Sequence, residues 1–188
     1  MFKRLTLIAL ASATVLGASY AQAAQQLVPA KSEVRFAFRQ MNAPIEGRFR
    51  KLSGTVDFDP AKPQASKADI IVDIGSIDLG NPEGETEARG KGFFNVPLFP
   101  QARFTAASFK PLGNNRFEVS GKLTIKNVSK DIVVPFTIKP EAGGAMTAEG
   151  AFPLKRLAFK VGEGDWADTD TVADDVQVKV RLSLAPAK

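Results

Sequence analysis

"VQVKVRLSL", Val176 to Leu184, alternates apolar and polar side chains without a break. Successive side chains of a β-strand point to opposite faces. Val176, Val178, Val180, Leu182 and Leu184 therefore make one apolar face, and Gln177, Lys179, Arg181 and Ser183 make a polar one. The same period of two recurs through the chain. Val34, Phe36 and Phe38 alternate in "SEVRFAF", Gly54, Val56 and Phe58 in "SGTVDFDP", and Ala68, Ile70, Val72 and Ile74 in "KADIIVDIG". Further on, Phe104 and Ala106 alternate in "ARFTAASF", and Phe117, Val119, Gly121, Leu123 and Ile125 in "RFEVSGKLTIK". Ile132, Val134, Phe136 and Ile138 follow in "DIVVPFTIK", then Met146, Ala148, Gly150 and Phe152 in "AMTAEGAFP". The pattern predicts an all-β protein of at least eight half-buried strands.

The separators "DPAKPQAS", "LGNN", "KNVSKD" and "PEAGG" are turn chemistry, rich in Pro, Gly, Asn and Asp. Loops this short join antiparallel neighbours. One connection differs: "NPEGETEARGKGFF", from Asn81 to Phe94, has no period of two and predicts a short helical segment at one end of the sheet. Eight antiparallel strands with one apolar face each must fold over as a sandwich or close into a barrel, and closure removes exposed edges. At eight strands a barrel interior is either filled by side chains or able to hold one small ligand, and alternation alone does not choose between them.

The N-terminus is read separately. Lys3 and Arg4 precede an apolar run, Leu5 to Ala18, and the small-residue pattern Ala21-Gln22-Ala23 follows, which predicts a secretory signal over residues 1–23 with cleavage after Ala23. The run is shorter than the ~20 residues a spanning helix needs. No Cys lies near the cleavage point to carry a lipid. Export to the periplasm is the expectation, with residues 24–188 as one domain.

Composition excludes much. The chain carries a formal charge of +5, and two of its 25 basic residues lie in the leader, leaving 23 basic against 20 acidic residues afterwards, spread along the strands. Nucleic-acid binders cluster their basic residues on one face, so no nucleic-acid partner is expected. Cys and His are both absent. Disulfides, thiolate nucleophiles, the common zinc sites and imidazole catalysis are excluded with them. Membrane barrels carry Tyr and Trp girdles, whereas this chain has one Trp and one Tyr, the latter at position 20 in the leader. The apolar faces are thus expected to point inward, without stable membrane insertion.

Five blocks together resemble the YceI-like, polyisoprenoid-binding family of exported bacterial lipocalin-like barrels: "EGRFRKLSGTVDFDP", "ADIIVDIGSIDLG", "GFFNVPLFPQARFTAASF", "VSGKLTIKNVSKDIVVPFTI" and "VGEGDWADTDTVADDVQVKVRL". They cover nearly the whole chain after the leader. The resemblance implies an antiparallel eight-stranded lipocalin-like barrel whose interior holds a long isoprenoid or comparable amphiphile, with no cofactor, no established reaction, and pairing into a homodimer as a feature of such barrels. Many members carry His near the end of the first long strand and after the "SID" block. Here those stretches read "FRQMNAPIEG" and "PEGETEARGKGFF", so no imidazole contact to a head group carries over.

Between Gly90 and Phe109 stand five phenylalanines with Pro97 and Pro100 among them. Each alone is ordinary core material. As a set they make a wall without polar atoms, able to stay dry and accept an apolar chain. The predicted hydrophobic lining is Phe36, Phe38, Phe49, Ile70, Val72, Ile74, Phe93, Phe94, Phe99, Phe104, Phe117 and Val119. Arg39 and Arg48, with Arg35 and Arg50 beside them, are the head-group candidates, since guanidinium groups suit oxyanions; their alternative is a solvated strand face. Trp166 either stacks at the entrance or plugs one end. The acidic run "DWADTDTVADD" invites calcium, but it lacks the glycine and terminal Glu of the helix-loop-helix loop and reads as solvated, with no metal.

Three functions follow in order: an exported carrier or sequestering protein for a polyisoprenoid, isoprenoid quinone or similar lipid; a filled-barrel module partnering a membrane quinone-linked complex; and, last, an enzyme using carboxylates such as Asp73 and Glu46. Nothing in the linear sequence brings particular carboxylates together, so no catalytic residue is assigned.

Overall fold

The computed structural model describes residues 25–186. The leader expected over residues 1–23 lies outside them. The chain runs through β1 (Gln25–Leu27), β2 (Glu33–Gln40), β3 (Ala43–Phe49), β4 (Leu52–Asp57), β5 (Lys67–Asp73) and β6 (Ile77–Asp78). Helix α1 (Pro82–Arg89) follows, then β7 (Gln101–Gly113), β8 (Arg116–Ile125), β9 (Val128–Pro140), β10 (Met146–Lys155) and β11 (Asp175–Pro186). Hydrogen-bonded neighbours run β4-β5-β7-β8-β9-β10-β11-β2-β3-β6, and β1 pairs with β11, all antiparallel.

The two ends of that series meet. β3 continues into β4 across Arg50 and Lys51, and β5 continues into β6 across a 3-10 turn, Ile74–Ser76. Asp73 N–H donates to Lys51 O (3.0 Å), Arg50 N–H to Ser76 O (3.1 Å) and Lys51 N–H to Ser76 Oγ (3.0 Å), carrying the bonding across the bend. β3 with β4, and β5 with β6, are thus two long bent strands, and the ring counts eight. It contains every stretch predicted from alternation. β3 was not predicted: Pro44, Glu46 and Gly47 dilute the pattern in "APIEGRF".

Three hairpins close on two-residue turns with both residues at positive φ: Met41-Asn42, Asn114-Asn115 and Lys126-Asn127. This backbone matches the twist of the flanking strands, and Asn tolerates it best among non-glycine residues. β7 carries a second device. Phe104 and Phe109 are five positions apart and would face opposite sides of a regular strand. The register shifts between Ala106 and Ser108, a bulge that turns Phe109 inward.

Helix α1 is the expected short helix. Asn81 caps it, its Oδ1 accepting from Glu83 N–H (3.1 Å); Pro82 opens it, and Glu83 and Glu85 face the positive end of its dipole. Arg89 in the last turn donates to the carbonyls of Gly75 (3.1 Å) and Ile77 (3.0 Å) and to Glu85 (3.1 Å), strapping the helix to the bend in the barrel wall.

β6 is held by one carboxylate. Asp78 accepts from Arg48 Nε (2.8 Å), Arg50 Nε (2.9 Å) and Gly80 N–H (3.1 Å), and these bonds, led by that from Arg48, hold its pKa at about 2 against the usual 3.8. A depressed acid contributes stability above its unfolded pKa and loses it as pH falls through the folded value. The clamp is therefore expected to stay closed down to pH 4 and to release between about pH 4 and 2. An NMR titration of the Asp78 carboxyl checks this; a midpoint near 3.8 would show that the arginines do not hold it.

Candidate functional site

One end of the barrel is packed. Phe58 meets Phe117 edge-on (5.2 Å between centroids) and Phe109 at a tilt (5.9 Å), with Ile138, Met146 and Leu184 buried around them. Above this floor the interior is hollow, with a cavity of about 680 Å³, within the roughly 300–1,000 Å³ of small-molecule sites. Its wall is the inward set of every ring strand, nearly all aliphatic or Phe. The rings of Phe36 and Phe136 lie where a Cβ would stand at Gly47 and Gly150, the residues opposite them in register. Lying against glycine backbone, they cover the wall instead of crossing the lumen.

The other end is a lid built from α1, the loop after it and the segment between β10 and β11. Phe94 packs edge-on against Phe49 (6.0 Å), Phe93 packs on Trp166 (5.1 Å), and Trp166 Nε1 donates to Glu87 Oε1 on α1 (2.9 Å). Glu163 N–H donates to Gly92 O (2.9 Å), a second tie between the two lid pieces. Trp166 thus stacks in the lid.

Arg156 holds the loop that carries Trp166. It is only 4% exposed, and all five of its N–H groups are used on backbone carbonyls: Nε to Ala173 (3.1 Å), Nη1 to Val161 (3.0 Å) and Gly162 (2.9 Å), Nη2 to Trp166 (2.7 Å) and Val172 (2.6 Å). Burial pushes its pKa down and the nearby Asp174 charge opposes that. Nothing in "PLKRLAF" marks this arginine, because its partners are loop carbonyls that no pattern specifies.

Of the predicted lining, Phe36, Phe38, Phe49, Ile70, Val72, Ile74, Phe93, Phe94, Phe104 and Val119 lie on the cavity wall. Phe117 and Phe99 do not. Phe117 is spent on the floor against Phe58, and Phe99 is half-buried in the loop between Pro97 and Pro100. The head-group candidates are corrected by strand parity. Arg48 lies between the inward Gly47 and Phe49 and is bound to Asp78 on the outer face. Arg39 follows the inward Phe38 and donates to Asn42 O (2.8 Å) outside the cavity. Arg35 pairs with Glu33 (3.1 Å) and Arg50 with Asp78 (2.9 Å), both also outward.

The polar groups that do reach the cavity were not predicted: Gln40, Asn81, Glu83 and Glu87 near the lid, beside Arg156; Arg103, between the inward Ala102 and Phe104, turns outward. Arg103 is committed to Asp69 by two bonds (2.7 and 2.6 Å). The acidic run serves its own loop. Asp168 accepts from Asp170 N–H (3.0 Å) and Thr171 Oγ1 (2.7 Å), Asp174 accepts from Leu157 N–H (2.9 Å), and Asp175 pairs with Lys155 (2.7 Å). Glu46 is on the outer face of β3 and Asp73 ends β5; neither lines the cavity.

Comparison with known proteins gives the same architecture. A family model described as the YceI-like domain matches residues 25–184. A UPF0312 protein of Azotobacter vinelandii is 32% identical over 168 residues, covering 85% of this chain and 87% of that one. The crystal structure of BcnA from Burkholderia cenocepacia superposes with a TM-score of 0.80 at 42% identity, covering 84% of this chain and 98% of BcnA. A polyisoprenoid binding domain from Saccharophagus degradans, implicated in plant cell wall breakdown, shares the fold with a TM-score of 0.73 at 16% identity, over 88% of this chain and 99% of that domain.

Proposed function

Since the chain belongs to the YceI-like family, we propose that it is an exported, non-catalytic lipid-binding protein that carries or sequesters a long amphiphile of the polyisoprenoid or isoprenoid-quinone kind. The observation that carries this is the cavity: about 680 Å³ of space inside the barrel, walled by apolar side chains. Each methylene taken from water contributes about 0.8 kcal/mol. Roughly a dozen would supply about 10 kcal/mol against an association cost of very roughly 4–15 kcal/mol. A long tail therefore binds here without many polar contacts. The hollow interior speaks against a filled-barrel module.

The lid supports an uncharged head group. Glu83 and Glu87 offer carboxylate acceptors, while Arg156, the arginine at the wall, has its donors committed to backbone carbonyls. A hydroxyl head can donate to such acceptors; a phosphate would meet like charge. The Lys3-Arg4, Leu5–Ala18 and Ala21-Gln22-Ala23 pattern supports a periplasmic location.

Val72 and Phe104 face the cavity and are only partly buried. A carboxylate at either position can be hydrated by water entering the lumen, so Val72→Asp and Phe104→Asp are expected to keep the strand signal in circular dichroism. Each is expected to weaken binding of all-trans-retinol, an isoprenoid alcohol, at least tenfold, because the charge must then be desolvated by the ligand. Trp166 is the sole tryptophan and reports the event by its fluorescence. Folded variants that bind retinol as tightly as the parent would remove the cavity as the site. Native mass spectrometry of protein from its own host's periplasm, followed by organic extraction, identifies the lipid; a clean unliganded mass with no uptake would reject the carrier.

A further inference from the structure

The barrel wall has a break. β9 and β10 pair from Met146↔Pro140 only as far as Gly150↔Phe136. Beyond that point, β9 from Pro135 back to Val128 bonds to β8 alone, and β10 from Ala151 to Lys155 bonds to β11 alone. Each lip carries a proline, Pro135 and Pro153. Proline has no N–H to donate and belongs on strand edges, so the seam is written into the sequence as two strands prevented from zipping.

The side chains along the seam suit the passage of an apolar chain. On the inner side Ile132 and Val134 of β9, and Phe152 and Leu154 of β10, line the cavity. On the outer side the lips present Val133, Pro135, Ala151 and Pro153, all exposed, Val133 at 52%, with Asp131 and Lys155 at the upper end of the seam and Lys139 and Glu149 below it. Apolar surface therefore continues from outside to inside only a strand's thickness away. A short 3-10 turn, Leu157–Phe159, packs on β9 at the upper end, tethered by Lys126 Nζ to Lys160 O and to Glu163 (3.2 Å).

The two ends are held by other contacts. The floor is packed with phenylalanine, and lifting the lid breaks the Trp166–Glu87 and Glu163–Gly92 bonds and Arg89's straps on Gly75 and Ile77. Opening the seam breaks no ladder bond. We propose that the β9–β10 seam is the site at which the lipid's apolar chain enters and leaves the cavity. The inference rests on the carrier reading above.

The chain has no cysteine, so a pair can be introduced cleanly. V133C with A151C, joined by a short cleavable bis-maleimide, staples the seam on its outer side. K91C with D165C, on exposed residues beside the Gly92–Glu163 bond, staples the lid and leaves the Lys126–Glu163 tether intact. Retinol uptake is followed by stopped-flow fluorescence. The seam staple is expected to slow uptake at least tenfold while leaving equilibrium affinity within twofold, and cleaving the linker is expected to restore the rate. The lid staple is expected to leave the rate within twofold. A seam-stapled protein with unchanged uptake overturns the proposal, whatever the lid staple does. If the unstapled protein takes up no retinol, the carrier reading falls and the seam's role with it.

Discussion

Arg156→Met is expected to lower unfolding stability by about 3–5 kcal/mol, among the largest losses available to one substitution in this chain. The side chain satisfies five carbonyls in a loop with no strand partner for most of its length. A hydrogen bond contributes about 1 kcal/mol net, more when one partner is charged, and an abandoned buried acceptor costs about 1–3 kcal/mol, with water recovering part near the surface. Arg156→Lys keeps the charge but has three donors in place of five, and belongs between the parent and Met. Urea denaturation measures the order, and the Met variant should melt about 10 °C lower for a protein of this size. Trp166 fluorescence should shift before the barrel unfolds, because Arg156 holds the Trp166 carbonyl directly. If Lys and Met are equally damaging, the guanidinium fork of bonds is what matters at this site and the charge is not. If neither matters, the loop is held by something else.

Phe58→Ala is the second large effect, expected at about 3–5 kcal/mol from the usual range for deleting a buried aromatic ring. Phe58 is 3% exposed and touches both Phe109 and Phe117, so its removal leaves two rings without a partner. The consequence for binding runs the other way. The vacated space joins the cavity from below, so the variant should hold an amphiphile with a longer tail than the parent accepts, relative to a short one. Measuring stability by urea and affinity across a series of prenols of increasing length separates the two. A variant that loses stability with no change in length preference would show that the floor collapses into the hole.

The strands were legible because alternation is enforced by the pleat: apart from Phe109 beyond the bulge, the apolar strand residues from Val34 to Leu184 that line the cavity or the floor sit at their expected parity. Parity also contained the correction for Arg39 and Arg48, since neighbours of inward Phe38, Gly47 and Phe49 must face out. Chemical aptness for a head group drew attention to them where geometry excluded them. The bulge that turns Phe109 inward was not legible, because "TAASF" has no glycine or charge to mark the extra residue. Neither was ring closure through the bends at Arg50-Lys51 and Ile74–Ser76, which depends on side-chain and backbone bonds between distant segments. The lid shows the same limit. Glu87 and Trp166 are 79 positions apart, and only the folded barrel brings them together.

The glycine beneath Phe36 makes the barrel's bore adjustable by a single methyl group. A methyl group added at Gly47 meets only side-chain atoms, of Phe36 and Leu79, so the ring can yield toward the lumen while the strand backbone keeps its register; at Gly150 it would also meet the Pro135 carbonyl, and the strands themselves would have to shift. Relatives built on this frame can therefore be narrowed for thinner cargo at this one position, with the floor, lid and seam unchanged. The gauge of the channel is set independently of the architecture that surrounds it.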